Sequence, residues 1–250
     1  MSHLLRARFK KEIVCEFLPP AEPSRDVIIF CDGMPTIPGN KRLLIALSKK
    51  GFWVFDPRYR GTWESGGRFL DHDPTQDILD IIDELPNGFV SLYDNVRYQV
   101  DPRRVYVVGA SFGGPAAILS TLDPRVTKAI AVCPVVDWSD EDMSPEEPMD
   151  WLGGFVRDAF GEAYRFSDED WQRLSRGEFY NPISHIKKLD PSKLMIVQTL
   201  DDTIVAPHLA VQFARALGCE LYSLKKGGHV PKKLWTSWWT ARRLFSFLDN

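Results

Sequence analysis

Ser111 stands in the run Gly109-Ala110-Ser111-Phe112-Gly113-Gly114, entered from Val105-Tyr106-Val107-Val108 and left into an alanine-rich segment. Apolar strand, G-x-S-x-G turn and helix follow one another without slack, which places the serine at the apex of a strained turn. Glycines two residues before and after it remove the Cβ atoms that would clash where strand and helix crowd together. A serine hydroxyl is a poor nucleophile at neutral pH unless an imidazole takes its proton. That imidazole in turn needs a carboxylate to hold its tautomer and offset its charge. Given both, the chemistry is attack of an activated alcohol on a carbonyl carbon. Without them, the same run is an ordinary glycine-rich turn with a helix-capping serine.

Five histidines compete for the role of base: His3, His72, His185, His208 and His229. His229 lies in Lys226-Gly227-Gly228-His229-Val230-Pro231, a loop between the last expected strand and the last expected helix, with glycines that let it reach toward Ser111. The other four sit in the terminal tail, beside helix starts or in the long segment before residue 190. For the acid, Asp201 and Asp202 follow a strand in Thr199-Leu200-Asp201-Asp202-Thr203. Successive residues leaving a strand point different ways, so only one of them serves the imidazole. Asp202 is favoured, since the chain turns after Thr199 and Val205 anchors the loop; Asp201 is the reserve.

These residues need a scaffold that brings loops together. The chain alternates strand-like and helix-like stretches: an outer strand over residues 12–18, a short apolar run over 27–31, helical spacing over 40–50 stopped by Gly51, and a strand over 52–55. Asp73-Pro74 opens a helix with Ile78, Leu79, Ile81, Ile82 and Leu85 on one face. Further strands are expected at 129–133, 193–198 and 220–224, with a helix over 207–217 and a final one opened by Pro231 and striped by Leu234, Trp238, Ala241, Phe245 and Leu248, widened by Trp235 and Trp239. Such alternation predicts an α/β fold with a doubly wound, mainly parallel sheet formed by residues 1–136 and 191–250. Residues 137–190 are acidic and tryptophan-bearing, without a strand pattern, and are expected to form a helical cap over the sheet edge.

At 250 residues, 44% apolar, 26% charged and with a net charge of −3, the chain suits one large domain and shows no electrostatic reason to bind nucleic acid. Cys15, Cys31, Cys133 and Cys219 are scattered without metal-ligand spacing, so neither a disulfide frame nor a metal or other cofactor is expected. No apolar leader or membrane-length run occurs, which makes the cytoplasm the expected compartment and membranes an unexpected partner. The sequence leaves the oligomeric state open, a homo-oligomer included.

The chain order Ser111, Asp202, His229, together with Gly109 to Gly114, Thr199 to Pro207 and Gly227-Gly228-His229, resembles the α/β-hydrolase superfamily. Within it, the dienelactone-hydrolase, esterase and prolyl-oligopeptidase-like branch is the nearest in pattern. Arg60-Gly61 with Ser65-Gly66-Gly67 is similar to a loop of that branch, and the lead-in at Asp101-Pro102 is similar too. The resemblance implies a serine hydrolase acting on carboxylic esters first and short peptides second, through an acyl-enzyme on Ser111. An acyltransferase or a non-catalytic binding module on the same scaffold are the competing classes. Negative charge on the attacked carbonyl oxygen would be met by the backbone N–H groups of Phe112 and Met34. Where relatives often read His-Gly, this chain has Asp32-Gly33; Asp32 is expected to make the turn, with attraction of a cationic substrate group as the alternative. Trp63, Trp138, Trp151 and Trp171 are divided between pocket and core without a preference.

Overall fold

The computed structural model describes residues 3–144, 148–231, 234–235 and 237–249. Eight strands form one sheet: β1 (Leu5–Phe9), β2 (Ile13–Leu18), β3 (Asp26–Cys31), β4 (Phe52–Pro57), β7 (Arg104–Ala110), β8 (Val126–Val132), β9 (Leu194–Thr199) and β10 (Glu220–Leu224). A separate hairpin joins β5 (Phe89–Val90) to β6 (Arg97–Tyr98). The order across the large sheet is β1-β2-β4-β3-β7-β8-β9-β10. All pairings from β4 to β10 are parallel, whereas β2 runs antiparallel to both β1 and β4. β3 is buried along its whole length, as an apolar run covered on both faces must be.

Helices supply that cover. On one face lie α2 (Thr75–Glu84), α3 (Gly113–Ser120) and α6 (Pro207–Leu217), which bury Ile78, Ile81, Ala116, Ile118, Ala210 and Phe213 in one apolar cluster. On the other lie α1 (Lys41–Ser48) and α7 (Trp238–Asp249), through Leu44, Leu47, Leu244, Phe247 and Leu248. Each fully buried aliphatic side chain stabilises the fold by about 1.5–3 kcal/mol relative to an exposed one. Between β8 and β9 run α4 (Met149–Phe160) and α5 (Asp168–Ser175), joined by short three-ten turns. Trp138, Leu152, Val156, Trp171 and Tyr180 of this stretch share the apolar cluster of α2 and α3, so its interior is continuous with the main core.

One expectation needs correction, and two features lie outside what the sequence reading named. Residues 13–18 form β2, an outer strand next to the sheet edge, and the edge strand β1 lies beyond it, where an Arg-Ala-Arg alternation leaves no continuous apolar run to mark it. The β5–β6 hairpin, with two-residue strands, is too short to leave a periodic signal. The final helix begins at Trp238 rather than Pro231, and the indole rings of Trp238 and Trp239 are exposed, stacked edge-on at 4.4 Å, while Leu244, Phe247 and Leu248 face the sheet. Residues 232, 233 and 236 lie outside the described residues.

Candidate active site

Because β3 and β7 to β10 all run in one direction, the loops that leave them emerge along one edge of the sheet. That edge collects Asp32 to Met34 after β3, Ser111 after β7, Cys133 after β8, Asp201 and Asp202 after β9, and His229 after β10. A cavity of about 790 Å³ lies elsewhere: Asp26, Phe52 and Arg104 in its wall are the first residues of their strands.

Ser111 occupies the left-handed region at φ +54°, a conformation that costs a non-glycine residue energy and needs support from its surroundings. Support comes from both sides. Its N–H donates to the Val132 carbonyl of β8 at 2.9 Å, and its own carbonyl accepts from Gly114 N–H at 2.9 Å. The glycines do what the spacing implied: a Cβ on Gly109 would fall 1.9 Å from the Gly113 carbonyl oxygen, and one on Gly113 would fall 2.0 Å from that of Cys31. A Cβ on Gly114 would meet Pro134 at 2.4 Å. The turn is therefore tight enough to exclude every side chain but glycine at three places.

His229 Nδ1 lies 2.8 Å from Asp202 Oδ2. The Asp202 side chain is fully buried, and its second oxygen accepts from the N–H groups of Ile204 at 3.0 Å and Val205 at 3.1 Å. Burial pushes this carboxyl up, but the hydrogen bond and charge of His229 and the two N–H groups outweigh it and hold the carboxyl below its ordinary range. It is thus an anion at neutral pH, able to fix the Nδ1–H tautomer and leave Nε2 as the basic nitrogen. Among the described residues no hydrogen bond joins Ser111 to His229. The end of β8 lies beside both: its Val132 carbonyl accepts from Ser111 N–H, and the ligand atoms of the next residue, Cys133, and of Asp202 and His229 lie within 4.8 Å of one another.

Asp201 serves the same loop in another way. Its carboxylate accepts from the N–H groups of Gly227 at 3.1 Å and Gly228 at 3.0 Å, which also lower its proton affinity. Thr199 Oγ1 donates to the Gly228 carbonyl at 2.6 Å, so both the N–H and the carbonyl of the glycine that precedes the histidine are held. No local sequence pattern distinguishes an aspartate that clamps a backbone from one that bonds a ring.

The turn after β3 packs onto the serine. Gly33 lies against Ser111, where an added Cβ would sit 3.3 Å from the serine Cβ and 3.8 Å from Oγ. Next in the chain, Met34 is buried. Phe112 stands at the N-cap of α3, and its carbonyl accepts from Tyr180 Oη at 2.6 Å; the same hydroxyl accepts from Ala116 N–H at 3.1 Å. Tyr59 Oη donates to the Asp32 carbonyl at 3.1 Å, and the Thr36 N–H donates to Tyr164 Oη at 2.9 Å. These tyrosines come from distant stretches, which is why the sequence did not single them out. Asp32 Oδ1 accepts from Asn40 Nδ2 at 2.8 Å, and that nitrogen lies 3.3 Å from both oxygens of Asp56. Burial, reinforced by the Asp32 charge, pushes the Asp56 carboxyl up to about 8; burial raises Asp32 as well.

Of the four tryptophans, Trp138 and Trp171 are core. Trp63 is half-buried and donates to the Thr36 carbonyl at 3.2 Å, while Trp151 is exposed and stacked on Phe155 at 5.1 Å. His72 bonds Asp77 at 3.0 Å. No described helix is long and apolar enough to cross a membrane.

The profile of the prolyl oligopeptidase family matches residues 41–234, well over half of the chain. No curated protein sequence gives a significant match. Among solved structures, an esterase of Pyrococcus furiosus superposes with a TM-score of 0.67 at 16% identity, over 99% of this chain and 89% of that one. An α/β hydrolase, GrgF, from Penicillium sp. sh18 gives 0.67 at 17% identity, over 98% and 96%. The acylaminoacyl peptidase of Pyrococcus horikoshii gives 0.63 at 19% identity, over 98% of this chain but 41% of that longer one. At these identities the likeness is one of fold, and that fold is the α/β-hydrolase fold.

Proposed function

The chain belongs to the prolyl oligopeptidase family of serine hydrolases, and from that premise we propose that it cleaves carboxylic esters through an acyl-enzyme on Ser111. The single observation that carries the reading is the 2.8 Å bond between His229 Nδ1 and the buried Asp202 carboxylate, at the same sheet edge as the strained serine turn. With Nδ1–H held by Asp202, Nε2 takes the Ser111 proton as Oγ attacks the carbonyl carbon. The tetrahedral oxyanion is received by the N–H of Phe112, at the positive end of α3, and by the N–H of Met34. His229 then returns the proton to the leaving oxygen, and water, deprotonated by the same nitrogen, releases the acid.

Esters come first because an alkoxide or phenoxide departs with little assistance, whereas an amine leaves only with a proton placed on its nitrogen. Short peptides and amino-acid amides form the second reading, favoured by the family to which the chain belongs. A transferase would show product from an added alcohol in place of the acid. No cofactor enters the reaction as read here, and the cytoplasm is the compartment we assign.

A fluorophosphonate probe tests the core of the proposal: it should label the wild-type protein at Ser111 and leave Ser111→Ala unlabelled. Equal labelling of the two would remove Ser111 from the reaction. Rates across p-nitrophenyl esters of graded chain length and aminoacyl arylamides then separate esterase from peptidase. Within that panel, Asp32→Asn tests attraction of a substrate amine, since an unchanged ratio of rates on cationic and neutral substrates confines Asp32 to its bond with Asn40.

A further inference from the structure

The mechanism leaves Cys133 without a task, although it is the residue that follows β8 and stands between the serine turn and the acid loop. Its thiol is buried, and its hydrogen-bonding contact is weak, 3.6 Å to Thr199 Oγ1. Its Sγ, a carboxylate oxygen of Asp202 and a ring nitrogen of His229 all lie within 4.8 Å of one another. We propose that these three side chains form a binding site for a borderline-soft divalent cation, Zn²⁺ fitting best, and that the bound cation switches off the imidazole.

The donor set supports the assignment. Zinc takes cysteine sulfur at about 2.3 Å and histidine nitrogen or carboxylate oxygen at about 2.0–2.2 Å, which in a tetrahedron separates donors by roughly 3.3–3.7 Å. Reaching that geometry asks the 2.8 Å contact between His229 and Asp202 to open by about half an ångström and the thiol to close by about one. Backbone bonds hold the frame while the side chains adjust: Cys133 N–H donates to the Val197 carbonyl at 2.8 Å, and Thr199 clamps Gly228 beside the histidine. The His229 side chain, 20% exposed, leaves a route from solvent and a fourth position for water. Three protein ligands plus water is the arrangement of an open zinc site. The donors stand at positions 133, 202 and 229, so no short spacing in the sequence reveals them.

Burial keeps the Cys133 thiol protonated in the metal-free protein, so binding releases one proton from sulfur to solvent. On the ring, Zn²⁺ bonds to Nδ1 and the proton there moves to Nε2. No redox partner is needed, since the cation keeps its charge state. With Nε2 protonated in the neutral ring, no lone pair is left to accept the Ser111 proton. The loss of turnover rests on the reading of His229 as base, whereas the binding itself does not.

Cobalt reports the site spectroscopically. Untagged, metal-free protein titrated with Co²⁺ should develop a near-ultraviolet thiolate-to-cobalt charge-transfer band that saturates at one equivalent and is displaced by Zn²⁺. Ser111→Ala should bind as the wild type does. Cys133→Ser and, as a second variant of different polarity, Cys133→Ala should lose the band and bind Zn²⁺ at least tenfold more weakly, while hydrolysing p-nitrophenyl acetate in chelator at the wild-type rate. In the wild type, saturating Zn²⁺ should suppress that hydrolysis at least tenfold. Absence of the thiolate band, or equal Zn²⁺ affinity in the wild type and both Cys133 variants, would overturn the site. A band that saturates while hydrolysis continues would keep the cation site and remove His229 from the role of base.

Discussion

Two adjacent aspartates divide the labour at the tip of β9. Asp202 bonds the ring of His229, and Asp201 bonds the backbone of the glycines before it. Their substitutions should therefore differ in kind. Asp202→Asn keeps the shape but presents an amide where the ring needs an acceptor, so kcat on p-nitrophenyl acetate is expected to fall about 10³–10⁴-fold. Asp201→Asn loosens the loop without touching the tautomer, and its loss should stay within about tenfold. Equal losses in steady-state kinetics would show the assignment to be wrong. Deeper in the same region, Asp56 adds a pH signature. A carboxyl whose folded proton affinity is raised to about 8 keeps its proton while the unfolded chain loses it, so its contribution to stability falls as pH rises from the ordinary carboxylate range to about 8 and is level above that. Asp56→Asn carries no such proton. The melting temperature of the variant, relative to the wild type, should climb between pH 5 and pH 8; a constant difference would mean that Asp56 ionises normally.

At the scale of elements, the strand–turn–helix unit of β7 and α3 depends on contacts too close for any methyl group. Gly109→Ala places Cβ 1.9 Å from a backbone oxygen that no rotamer can move, and overpacking of this sort costs about 1–3 kcal/mol or more. Chemical denaturation should register that loss together with a fall in activity. Gly154, on the exposed side of α4, is the contrast: nothing lies within 4 Å of an added Cβ, and Gly154→Ala should stabilise the protein by about 0.5–1 kcal/mol through helix propensity. If both substitutions moved stability in the same direction, steric exclusion would not be what reserves Gly109 for glycine.

Over the whole molecule, Tyr180 ties the stretch between β8 and β9 to the proposed active site. Tyr180 Oη donates to the Phe112 carbonyl and accepts from Ala116 N–H, bracketing the first turn of α3 beneath the proposed oxyanion donor. Tyr180→Phe takes one hydrogen-bond partner from each of these backbone groups, which still face each other as the first bond of α3, for an expected loss of about 0.5–1.5 kcal/mol in unfolding free energy. Because the helix start would also lose a brace, kcat should fall severalfold with little change in KM. A variant that is destabilised yet fully active would make the tyrosine a fold residue alone.

Periodicity and glycine spacing were enough, from the chain alone, to set out the alternating α/β plan, the serine turn and the loop that carries His229, because strand, turn and helix signals are local and were contiguous there. Residues 5–9 and the β5–β6 hairpin escaped because their partners, not their own patterns, make them strands. Which of two neighbouring aspartates faces the imidazole, which tyrosines brace the turn, and that a lone cysteine stands beside the histidine were decided only by the tertiary structure. Those relations join distant positions, 96 residues apart from 133 to 229 and 128 apart from 36 to 164. Parallel strand order and side-chain direction at the strand ends create them, and neither is written in any short stretch of sequence.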